Sequence, residues 1–134
     1  MASLIQIEGI GEAYARKLKM LGISTTQALL ERGSSPKGRL QIAEKSGISE
    51  ARILEWVNLA DLFRVKGVGE EYSDLLEEAG VDTVVELAKR VPANLYEKIL
   101  AVNKEKKLVR KLPTLHQVKS WVEQAKQLPR VVTY

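Results

Sequence analysis

The chain has no cysteine and a single histidine. Disulfide frameworks, thiolate metal sites and cysteine nucleophiles are therefore excluded, and little remains for histidine-based metal or acid–base chemistry. Aromatic residues are sparse, with two Trp, four Tyr and one Phe. Long apolar runs are missing too: charges interrupt every aliphatic stretch well before the roughly 18 residues a membrane span needs. Met1-Ala2-Ser3 lacks the basic start of a signal peptide, so a cytoplasmic protein without a membrane partner is expected. No Ser-His-Asp set, Walker loop or zinc spacing occurs. The carboxylates are strung along helix surfaces and do not converge as a metal nuclease requires. Neither an enzyme nor a metal or other cofactor is expected, and no small-molecule substrate is evident.

What is present is a soluble composition of 134 residues, 45% hydrophobic and 28% charged. That length allows one compact domain or two small ones packed together. The net charge of +4 and isoelectric point near 9.3 permit an anionic partner without requiring one. Aliphatic residues recur at helical spacing, and no long stretch alternates in the two-residue manner of a half-buried strand. The expected fold class is all-α.

The strongest internal signal is a repeat. Ile7-Glu8-Gly9-Ile10-Gly11-Glu12 returns as Val65-Lys66-Gly67-Val68-Gly69-Glu70, an offset of 58 residues. Over residues 7–33 and 65–91 the shift keeps Gly9, Gly11, Glu12, Tyr14, Leu18, Gly22, Thr25, Leu29 and Arg32 identical. Such self-similarity marks one supersecondary unit used twice, with the division expected as 1–64 and 65–134. Later, Ile53, Trp56, Val57 and Ala60 reappear as Val118, Trp121, Val122 and Ala125 at an offset of 65. The second copy therefore carries seven extra residues, in an interval that holds a basic insertion near 103–111.

Helix signals fill each copy. Tyr14, Leu18 and Leu21 share a face that Gly22 should end. Ser24 to Gln27 offers a capping box for a short helix reaching about Gly33. Ser35-Pro36 supplies a cap and first position for another, and Gly47 with Ser49 turns the chain into the longest helix of this half. The second copy runs from about Glu70 to a break at Gly80, then from about Thr83. Pro92 stops and restarts the chain, and Thr114 to Gln117 forms a capping box before the last helix.

Glycines two apart let the chain turn sharply with its amides exposed, and a helix that starts there aims free N–H groups at one point. Ile10 and Val68, between the glycines, would anchor the turns. This pattern resembles the helix-hairpin-helix motif, which holds nucleic-acid phosphates without reading sequence. With Trp56-Val57, Ala60-Asp61-Leu62 and Leu112-Pro113, the chain resembles a bacterial family of domains of unknown function, common in cyanobacteria, built from tandem helix-hairpin-helix repeats. The resemblance implies two copies of a four-helix unit packed into one compact helical domain.

Charge separates the two turns. Glu12 follows the first and Glu70-Glu71 the second, where a first-turn carboxylate favours the helix dipole by roughly 0.3–1 kcal/mol but repels phosphate. Arg16, Lys17 and Lys19 offset Glu12, whereas Asp74, Glu77 and Glu78 deepen the repulsion at the second turn, which is expected to be structural. The candidate nucleic-acid residues are Gly9, Ile10, Gly11, Arg16 and Lys17, their counterparts Gly67, Val68 and Gly69, and the basic insertion residues Lys104, Lys106, Lys107, Arg110 and Lys111. That insertion can instead dock on the acidic helix from Glu70 to Glu86. A helix-turn-helix over 40–59 is disfavoured because its second helix offers Glu50, Arg52, Glu55 and Asn58, with one cation. Two functions are consistent with these features: non-catalytic binding of DNA or another nucleic acid through backbone phosphates, or a protein-interaction module.

Overall fold

The structure, a computed structural model, describes residues 3–134. Among them are eight α-helices and no strand: α1 Glu12–Met20, α2 Thr26–Arg32, α3 Pro36–Ser46, α4 Glu50–Leu62, α5 Glu70–Glu78, α6 Val84–Ala88, α7 Pro92–Lys106 and α8 Leu115–Gln127. One turn of 3-10 helix, Leu4–Gln6, precedes α1. The helical spacing of the aliphatic residues thus yields the all-α architecture it predicts.

The chain divides into two compact units, Met1–Asp61 with Val131–Tyr134, and Leu62–Arg130. In the first, Leu18, Ile23, Leu29, Ile42, Ile53, Trp56 and Val57 are buried. In the second, Leu75, Leu76, Val84, Leu87, Leu95, Ile99, Val118, Trp121 and Val122 form the core. Each such side chain stabilises the fold by about 1.5–3 kcal/mol when removed from water. The face Ile53, Trp56, Val57 and Ala60 on α4 and its echo Val118, Trp121, Val122 and Ala125 on α8 are both wholly buried, as bulky residues at that spacing should be.

Helix starts follow hydroxyl caps. Ser35 accepts from the Gly38 amide with Pro36 at the first helical position, Thr83 accepts from Glu86, and Thr114 with Gln117 completes a capping box. The expected box at Ser24 is corrected: Thr25, one residue on, caps α2 by accepting from Ala28, and Gln27 turns outward to donate to Glu31. Ser24 and Thr25 compete for one role. Thr25 wins with the extended backbone a cap needs, at φ −131° and ψ 162°.

Val131–Tyr134 completes the first unit. Thr133 N donates to Ser34 O at 2.7 Å, and Arg39 donates to Gly33 O and Thr133 O at 2.9 and 2.7 Å. Arg39 is only 5% exposed, and these carbonyls supply the partners a buried guanidinium requires.

Candidate nucleic-acid interface at the glycine turns

Both turns are built from the same bonds. Ile10 N donates to Ile7 O at 3.1 Å, as Val68 N does to Val65 O at 3.1 Å. At the far end of the following helix, Ile23 N donates to Leu18 O and Val81 N to Leu76 O, at 3.0 and 2.9 Å. Arg32 then closes on Leu21 O and Arg90 on Gly80 O. Residues 58 positions apart therefore make matching backbone bonds, while the two arginines reach carbonyls one position out of register.

Gly9 and Gly67 adopt φ of +92° and +93°, a region that L side chains avoid. A Cβ there would also press on an indole, 3.2 Å from Trp56 Nε1 at Gly9 and 3.1 Å from Trp121 Nε1 at Gly67. The rings are braced by tyrosines in the following helix, Tyr14 on Trp56 at 5.1 Å and Tyr72 on Trp121 at 5.2 Å between centroids. Each glycine turn thus rests on a buried tryptophan from the repeated apolar face.

Gly11 and Gly69 do a different job. They are the N-caps of α1 and α5, and neither helix has a side-chain cap. The first intrahelical bonds run from Ala15 N to Gly11 O and from Ser73 N to Gly69 O, which leaves the amides of residues 12–14 and 70–72 without an acceptor among the described residues. Hydroxyl oxygens meet this need at α2, α3, α4, α6 and α8, and proline opens α7. A Cβ at Gly11 or Gly69 would meet nothing within 4 Å. At both bare helix starts the space beside the cap glycine is open.

Their charge is opposite. α1 carries Arg16, Lys17 and Lys19 against Glu12 alone, whereas α5 carries Glu70, Glu71, Asp74, Glu77 and Glu78 with no cation. Glu12 is loosely paired with Arg16 at 3.9 Å, both exposed, a contact worth about 0–1 kcal/mol. Arg52 of α4 adds a cation that the sequence reading does not join to the glycine turn: its guanidinium lies 5.3 Å from the centre of the Tyr14 ring and donates to Tyr14 Oη at 3.1 Å. Lys17 flanks the same ring at 6.0 Å. In the second unit Tyr72 Oη instead donates to Lys111 O, and Gln117 stands where the offset of 65 would place Arg52. Of the two helices that follow the turns, α1 carries the net positive charge.

The basic insertion occupies the end of α7 and the loop to α8. Lys104, Lys106, Lys107, Arg110 and Lys111 are all exposed, and Asn103 holds the loop by accepting from Val109 N at 2.9 Å and donating to Val109 O at 3.3 Å. Lys106 forms an ion pair with Glu78 of α5, and the hydrogen bond to Glu78 raises its pKa above the ordinary lysine value. That contact is the docking on the acidic helix that the sequence allowed. Oxygens of Asp74, Glu77 and Glu78 lie within 4.8 Å of one another, with the Lys106 ammonium on one edge.

On the flank of α1, a shallow depression of about 310 Å³ is lined by Leu4, Ile5, Ala15, Glu12, Arg16 and Lys19 among others. No helix among the described residues is long and apolar enough to cross a membrane. No curated protein and no solved structure matches the chain. A family model does, over residues 8–128, which span both glycine turns and all eight helices. The chain belongs to the family described as domain of unknown function DUF4332.

Proposed function

We propose that this chain is a tandem helix-hairpin-helix protein that binds nucleic-acid backbone phosphates, without sequence preference, through its first glycine turn. The observation that carries this is the bare start of α1: no side chain caps Gly11, and the space beside that glycine is open. Amides converging at the positive end of a helix form an anion site. Lys17 and Arg52 flank the Tyr14 ring, and Arg16 lies one turn beyond Glu12, adding positive charge to this part of the first unit. A contact made by main chain reaches phosphates and not base edges, which fits non-specific binding. The basic insertion is a second cationic patch, with Lys106 engaged by Glu78.

A second function, docking of a protein partner, is favoured by one observation: α5 presents five carboxylates at the turn where α1 presents cations. Titrating salt against binding to duplex, single-stranded and branched DNA separates the two. Phosphate binding through three cations gives a log–log slope of about −3, little sequence preference and steep loss by physiological salt. Absence of binding to all three DNAs at low salt would refute it.

A further inference from the structure

We infer that the indole N–H of Trp56 is a side-chain donor of the anion site at the first glycine turn; this rests on the phosphate-binding function proposed above and adds α4 to the site. Trp56 is 1% exposed, and a tryptophan so deeply placed normally gives its N–H an acceptor. Here the nitrogen has none within the described residues. Yet none of their buried side-chain nitrogens or oxygens lacks a partner, so this N–H must reach the surface at the rim of an otherwise buried ring. The rim is at the turn: Nε1 sits 3.2 Å from the position of a Cβ on Gly9, two residues before the bare helix start. Tyr14, whose own amide is one of the free donors, packs against the ring with its plane tilted by 60° and holds its orientation.

A fixed, neutral N–H against Gly9, two residues before the free amides, suits an anionic oxygen. Being uncharged, it adds affinity without adding counterion release. Trp121 repeats the geometry at Gly67, 1% exposed with Nε1 at 3.1 Å. Five acids on α5 repel an anion there, so Trp121 is an internal control supplied by the repeat.

The chain has two tryptophans, so the full-length ¹⁵N-labelled protein gives two indole N–H signals, assigned with a Trp121→Phe variant. On titration with a mixed-sequence DNA duplex at low salt, the Trp56 indole and the amides of residues 12–14 should shift together while the Trp121 indole stays. Shifted amides with an unmoved Trp56 indole would overturn this inference and leave the phosphate site standing. If neither moves, the phosphate-binding function itself fails; equal shifts of both indoles would overturn the assignment to the first turn. A Trp56→Phe variant should lose about tenfold in affinity, the strength of a hydrogen bond to a charged group, with an unchanged salt slope. An altered slope would also count against the proposal.

Discussion

Replacing Gly9 by alanine tests the way the turn is held. At φ +92° an L residue costs roughly 1–2 kcal/mol, and alanine returns about 0.4–1 kcal/mol by restricting the unfolded chain. The new methyl would also stand 3.2 Å from Trp56 Nε1. The ring is fixed by Tyr14 and by burial, so the close contact adds about 1 kcal/mol, the low end of overpacking costs. The net loss is about 1–2 kcal/mol, or roughly 4–8 °C in melting temperature at about 4 °C per kcal/mol. Gly67→Ala, at φ +93° and 3.1 Å from Trp121 Nε1, should cost the same within about 0.5 kcal/mol. Urea unfolding of Gly9→Ala, Trp56→Phe and the double variant then closes a cycle. Removing the indole edge relieves the steric part and leaves the backbone part, so the two changes should couple by about 0.5 kcal/mol or more. A Gly9→Ala variant as stable as the parent, or strictly additive variants, would refute the packing described for the turn.

Three further outcomes are expected. Glu78→Gln removes the partner that raises the Lys106 pKa. A raised lysine pKa stabilises below the unfolded value and is lost as pH climbs through the folded value, so parent and variant should converge in urea midpoint once the pH passes the raised value of Lys106, with the parent ahead only below. Asn103→Ala breaks both bonds to Val109 and should cost about 1–3 kcal/mol while raising amide exchange across 104–111. Arg52→Gln should leave the melting temperature within about 2 °C and lower the slope of log affinity against log salt by about 1; an unchanged slope would place Arg52 outside the anion site.

Much of the architecture was legible because local chemistry and repetition agree. Gly22, Gly47, Pro36, Pro92 and the Thr114–Gln117 box all mark boundaries where the helices begin or end. Ser24 misled because Ser24 with Gln27 satisfies the capping-box pattern, which Thr25 with Ala28 does not; the identity of Thr25 and Thr83 across the repeat was the clue that Thr25 is the cap. Arg52, read only as the one cation of a disfavoured helix-turn-helix, was not joined to the glycine turn for a different reason. Its contact with Tyr14 spans 38 residues and lies on a helix face that looked like ordinary solvated surface. Tyr14 is not the simple core residue its spacing suggests, since one side of the ring meets Trp56 and the other meets cations. The union of Val131–Tyr134 with the first unit depends on carbonyls meeting Arg39, and nothing periodic in the sequence announces it.

On the proposed function, the amides after Gly11 receive a phosphate and those after Gly69 do not. Aspartate fits either position, where the backbone is extended and the space open, and as an N-cap it should stabilise the helix by a few tenths of a kcal/mol over glycine. It would also fill the site with its own carboxylate. Duplex DNA affinity measured at low salt for Gly11→Asp and Gly69→Asp should fall at least about tenfold for the first and stay at the parent value for the second, with both variants as stable as the parent. A stable Gly11→Asp protein that binds DNA as tightly as the parent would contradict the account.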